Sequence, residues 1–184
     1  MDLSLHEKFV LLTINDEKGT VSYGYAKTYG FAGAILMELF DKNMFTIDNK
    51  RIILSDKNPA ATVLQEAMEL MRSKKKPPKV QEALHLLGQK MHKSFDNVIA
   101  DLIQKGILRK EEKKLLWVFK VNHFPTQNPA PENLVKSKIK SIVLYGDHPD
   151  YENLCLISLV HVLDLHHKIY KKEEMKKAKK HIKE

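Results

Sequence analysis

Hydrophobic positions fall into blocks with a helical repeat, and polar, glycine or proline residues punctuate them. Leu5, Phe9 and Leu12 recur at helical intervals behind Ser4-Leu5-His6-Glu7, whose S-x-x-E spacing is that of a capping box, and 16–19 end the pattern. The segment 20–27 is polar and aromatic and reads as a loop or short extended stretch. From Gly30 to Asp41 the chain is apolar nearly all round, which predicts a buried central helix whose small Ala32, Gly33 and Ala34 let neighbours approach closely. Phe45-Thr46-Ile47, Asp48-Asn49 and Arg51-Ile52-Ile53-Leu54 predict strand, turn and strand. Asn58-Pro59 then offers an N-cap and a first-turn proline to a helix carrying Val63, Leu64, Ala67, Met68 and Met71, and 73–78 form a charged, proline-stiffened connector.

Two further helices are predicted from Val80 to Met91 and from Ser94 to Lys105, the second with Phe95, Val98, Ile99, Leu102 and Ile103 on one face and a stop at Gly106. Ile107-Leu108-Arg109 and 115–121 are apolar or branched runs around the charged 110–114, which predicts a second hairpin with a charged tip. A helix ending near Tyr145 follows on Leu134, Val135, Ile139, Ile142 and Val143, and Leu154 to Leu165 predicts a second buried helix. The fold class is therefore mainly α: a single-domain helical bundle with two buried central helices and two small β-hairpins. The expected domain spans 1–170, with 171–184 as a lysine-rich helix or tail.

Composition narrows the setting. At 184 residues the chain is long enough for one well-buried core, and 43% hydrophobic with 29% charged residues describes a globular protein. The longest apolar run, Phe31 to Phe40, is broken by Glu38 and falls short of the ~20 residues a bilayer span needs. No basic segment or small-residue cleavage site marks the N-terminus as a secretory signal, and the single Cys155 lies in an apolar stretch, so a reducing cytosolic setting with a buried inert thiol is expected. The net charge of +8 points to an anionic partner: nucleic acid, lipid headgroup or acidic protein. Residues 168–184 carry eight lysines and three glutamates, a composition suited to a charged surface rather than to bidentate recognition.

Candidate chemistry is sparse. His161-x-x-Asp164-x-His166-His167 is the most enzyme-like constellation, yet neither a HExxH pattern nor paired cysteines supply further metal ligands, and solvent-edge polar residues explain the same letters. There is no phosphate-binding glycine loop and no nucleophile-plus-base spacing; Gly30-x-x-Gly33 reads as helix packing. No enzyme activity, metal or cofactor is expected. Tyr23, Tyr25 and Tyr29 beside Lys27 form an aromatic and basic cluster able to line a headgroup pocket, or else ordinary tyrosines near a turn. A helix at 94–105 followed by a hairpin is also the grammar of a winged helix, with Lys110, Lys113 and Lys114 as phosphate contacts, although Asp96 and Asp101 would repel nucleic acid. A protein-interaction module with no lipid site is the third reading.

Four landmarks occur in order: Leu3-Ser4-Leu5-His6-Glu7 with Val10-Leu11-Leu12, the run from Gly30 to Leu39, Leu102-Ile103-Gln104-Lys105-Gly106-Ile107-Leu108, and His161-Val162-Leu163-Asp164. Together they resemble the Golgi phosphoprotein 3 family over about residues 3–170. The resemblance implies a mainly helical domain that binds phosphatidylinositol 4-phosphate without catalysis, as a cytoplasmic peripheral membrane protein. The tryptophan and arginines that the family uses fall by position at Tyr23, Ala32, His92 and Phe95; Tyr23 keeps the aromatic type, whereas Ala32 and Phe95 cannot bond a phosphate. Lys27, Lys90 and Lys93 are neighbouring substitute donors, so the expected headgroup set is Tyr23, Lys27, His92 and Lys93. The resemblance also implies homo-oligomerisation through the hairpin at 107–121, with Arg109, Lys113, Lys114 and Trp117 as its residues.

Overall fold

A computed structural model describes residues 2–15, 19–21, 24, 26–115 and 119–182, without the side chains of Ala26, 113–115 and 119–121. Eight α-helices and two antiparallel hairpins occur among the described residues, so the chain is mainly α as expected, and the lysine-rich segment supplies the eighth helix. Helix α1 (Leu5–Thr13) starts where the capping box places it, the Ser4 N–H donating to Glu7 Oε2 at 3.0 Å. A single π-helical turn, Ala26–Gly30, leads into α2 (Phe31–Asp41).

Helix α2 is the hub, packing against α1, α7 (Tyr151–Val162), α3 (Thr62–Arg72) and α4 (Val80–Lys90). Its small residues permit this: a Cβ on Gly33 would lie 3.2 Å from Leu159, and one on Gly30 would lie 2.5 Å from both Phe9 and Leu163. Two polar groups are nevertheless sealed at the α1–α2 seam. Glu38 accepts from the His6 backbone N–H at 3.1 Å and from His6 Nδ1 at 2.7 Å, with Glu38 4% and His6 5% exposed. Burial pushes the Glu38 carboxyl up, but the His6 hydrogen bond and charge outweigh it and hold the group below its ordinary value.

Strands β1 (Phe45–Asp48) and β2 (Arg51–Leu54) pair as expected, with Phe45 and Ile52 facing the core. Their two-residue loop, Asn49-Lys50, has positive φ at both positions (46° and 64°), the geometry that short hairpin loops demand. Cys155 is buried, and burial raises its thiol. No helix among the described residues is long and apolar enough to cross a membrane.

Several boundaries depart from the pattern for identifiable reasons. Helix α3 begins at Thr62, not after Asn58: Pro59 is buried and its carbonyl accepts from Gln65 Nε2 at 2.8 Å, so the cap passes to Ala61. Helix α5 (His92–Gln104) starts two residues before Ser94, whose buried hydroxyl donates to Glu66 of α3. In the second hairpin, β3 (Glu111–Leu115) pairs with β4 (Phe119–His123), so the charged run is a strand and not the tip. Ile107 and Leu108 are fully buried and belong to the core, which displaces the strand into the charged residues after them. In α6 (Ala130–Tyr145) Val135, Ile139 and Val143 form the buried stripe, while Leu134 is 71% exposed, one residue off the i, i+4 row.

Helix α7 begins at Tyr151, where Asp150 accepts the Asn153 N–H at 2.8 Å, and ends at Val162. A left-handed Asp164 and a short 3-10 turn, Leu165–Lys168, complete the predicted apolar span. Helix α8 (Met175–His181) lies on α6 through buried Ala178, Lys140–Glu174 at 2.7 Å and a His181 ring N–H donated to the Val143 carbonyl at 2.8 Å.

Candidate functional site

The π-helical turn at 26–30 sits against the first turn of α5, and this corner gathers most of the predicted headgroup residues. Lys27 reaches across to α5, its Nζ 2.7 Å from Asp96 Oδ1 and 5.0 Å above the Phe95 ring. His92 and Lys93 stand exposed on the same helical turn, where the partial positive charge of the helix N-terminus adds to that of Lys93. The fourth residue, Tyr23, lies outside the described residues. Next to the corner, Tyr29 bonds His85 Nδ1 at 3.1 Å and so ties the π turn to α4. The corner is thus basic and partly self-compensated, since Asp96 already answers the Lys27 ammonium.

At the second hairpin Arg109 pairs with Glu111 at 2.8 Å. Lys113 and Lys114 lie on β3, their side chains and Trp117 being outside the described residues. The histidine constellation is a packing cluster. His161 Nδ1 and His166 Nε2 are 3.2 Å apart, His166 is 1% exposed, and burial holds its pKa below the usual histidine range and its ring neutral. Asp164 is turned away to Lys179 at 3.1 Å, and no group of three metal-ligating side chains occurs among the described residues. Helix α5 presents Asp96 and Asp101 to solvent beside Lys93, a poor face for a nucleic-acid groove.

The sequence model of Golgi phosphoprotein 3 (GPP34) matches residues 5–184, nearly the whole chain. The chain belongs to the Golgi phosphoprotein 3 family. Within that family membership, the positions carried over for the headgroup divide in two. Ala32 is 1% and Phe95 0% exposed, and Phe95 meets Phe31 edge-on with centroids 5.2 Å apart. Both positions are committed to the core and present nothing to a ligand, so among the described positions of the four only His92 is exposed.

Beyond the corner this family member carries a second basic surface that the sequence pattern did not reveal. The connector at 77–80 runs along β2 as a third, irregular strand. Arg51 and Lys79 form an antiparallel bridge, the Ile52 N–H donates to the Pro78 carbonyl at 2.9 Å, and Arg51 Nη1 donates to the Pro77 carbonyl at 2.6 Å. The connector runs antiparallel to β2, so Lys79 lies beside Arg51 next to the loop, and Lys74, Lys75 and Lys76 lie further along toward the open end of the hairpin. The lysine run was legible in the sequence; its apposition to residues some 25 positions earlier was not.

Proposed function

We propose that this chain is a non-catalytic peripheral membrane protein of the cytoplasmic face that docks on anionic lipid, with a phosphoinositide headgroup as its preferred ligand. The observation that carries the reading is the family match over residues 5–184, and the +8 net charge supports it. The headgroup would sit at the corner of the π turn and α5, against Tyr23, Lys27, His92 and Lys93. With Ala32 and Phe95 in the core, its phosphate would meet an ammonium and an imidazole rather than a set of guanidinium forks. Point charges of that kind grip one phosphate less selectively than bidentate arginines. Charge attraction therefore supplies most of the affinity and headgroup recognition a smaller part.

A competition between vesicles tests this. Phosphatidylcholine vesicles doped with phosphatidylinositol 4-phosphate are compared with phosphatidylserine vesicles of equal surface charge. The reading predicts a modest preference for the former, lost in the Lys27→Ala/His92→Ala/Lys93→Ala variant. Equal binding to both, unchanged in the variant, would remove the headgroup site. Self-association through the β3–β4 hairpin, with Arg109, Lys113, Lys114 and Trp117, belongs to the same reading; sedimentation equilibrium of wild type and Trp117→Ala decides it.

A further inference from the structure

Resting on the lipid-surface reading above, we infer that the β1–β2 hairpin and the 74–79 connector form the face that lies on the membrane. Six basic residues, Lys50, Arg51, Lys74, Lys75, Lys76 and Lys79, share this strip with only two acidic ones, Asp48 and Glu82. Glu82 is engaged by the Lys79 backbone N–H at 2.8 Å and Asp48 by Asn49 Nδ2 at 3.3 Å. Some lysines of the helical body answer a carboxylate, as in Lys8–Glu152 and Lys140–Glu174 at 2.6 and 2.7 Å. The five lysines of the strip make no ion pair among the described residues and are exposed.

Charge alone would suit any polyanion; the apolar side chains between the lysines select a lipid surface. Ile53, 41% exposed, lies on the Arg51 face of β2, and Val80, 41% exposed, starts α4 where its N–H donates to the Lys50 carbonyl. Isoleucine at a hairpin surface gains nothing from a nucleic-acid backbone, whereas aliphatic groups among lysines match a headgroup layer over acyl chains. The loop points the same way. Lys50 holds a left-handed backbone (φ 64°) where glycine would be unstrained, so the hairpin loop carries a cation at a position whose geometry disfavours it. Between the connector and α4 lies a cleft of about 450 Å³ lined by Lys74, Lys75, Lys76 and His85 together with one carboxylate, Glu82. Helix α4, eleven residues and about 16 Å long, runs from this strip to the corner with His92 and Lys93, so both basic regions flank one helix.

Co-sedimentation of the full chain with phosphatidylcholine vesicles, with and without phosphatidylserine, tests the assignment. Each lysine near such a surface is worth roughly fivefold in binding, so Lys74→Ala/Lys75→Ala/Lys76→Ala should weaken it about a hundredfold at low salt. Lys138→Ala/Lys172→Ala/Lys176→Ala removes the same charge outside the strip and should weaken it only a few-fold. Ile53→Ser should lower the fraction that stays bound as salt is raised. If the two triple variants weaken binding equally, net charge acts without a face and the inference is overturned while the lipid reading stands. If wild type ignores phosphatidylserine, both fall. If the strip variant loses binding to a DNA duplex but not to vesicles, the face belongs to nucleic acid and the inference is again overturned.

Discussion

Replacing Glu38 by alanine probes the sealed polar joint between α1 and the central helix α2. The carboxylate accepts from two buried donors, the His6 backbone N–H at 3.1 Å and His6 Nδ1 at 2.7 Å, the latter also lying 3.1 Å from Ser4 Oγ. Each orphaned donor costs about 1–3 kcal/mol, and breaking a buried pair by deleting one partner costs about 3–5 kcal/mol in all. For a chain of this size, where each kcal/mol moves Tm by roughly 2–4 °C, the melting temperature should fall by about 6–20 °C. Glu38→Gln keeps one acceptor oxygen and should lose roughly 1–2 kcal/mol. The sign of the pH dependence follows from the depressed Glu38 pKa. A carboxylate whose folded pKa lies below its ordinary 4.5 contributes stability present above that value and lost as pH falls through the folded pKa. Glu7, also depressed because Ser4 and Lys105 outweigh its burial, adds to the same acid limb. Thermal melts of wild type and both variants between neutral and acid pH measure all of this. An alanine variant within 1 kcal/mol of wild type, or a glutamine variant less stable than the alanine one, would refute the reasoning.

Gly30→Ala places a Cβ 2.5 Å from Phe9 and Leu163, and should cost about 1–3 kcal/mol in chemical denaturation, although its backbone (φ −64°) would accept alanine. Lys50→Gly should do the opposite. Relief of a left-handed lysine, worth about 1–2 kcal/mol, exceeds the entropy glycine adds to the unfolded chain, so stability rises by roughly 0.5–1 kcal/mol. If the hairpin faces lipid, the same substitution weakens vesicle binding by about fivefold, separating stability from function in one variant.

How much could be read in advance depended on whether the determining interaction was local. The capping box, the apolar α2 run with its small residues, and the first hairpin are governed by neighbours three or four positions away, and they stand where the pattern put them. Pro59 was misread because its role is tertiary: a buried ring displaces the helix start to Thr62. The charged run at 110–114 looked like a tip because nothing in its composition says that Ile107 and Leu108 are already spent on the core. The candidate site divides the same way. Lys27 reaches the first turn of α5, which carries His92 and Lys93, because the π turn packs on that helix, but Ala32 and Phe95 could be recognised as core only once their faces were known. The basic strip depends on the pairing of 51–52 with 78–79, a contact that hydrophobic periodicity does not encode.

The central claim, that the chain docks on anionic lipid, meets its most direct test in vesicle flotation across lipid compositions at modest salt. The account predicts flotation with phosphatidylserine or phosphatidylinositol 4-phosphate vesicles, none with phosphatidylcholine alone, and release as salt screens the lysines. Recovery at the bottom of the gradient whatever the lipid charge would contradict it.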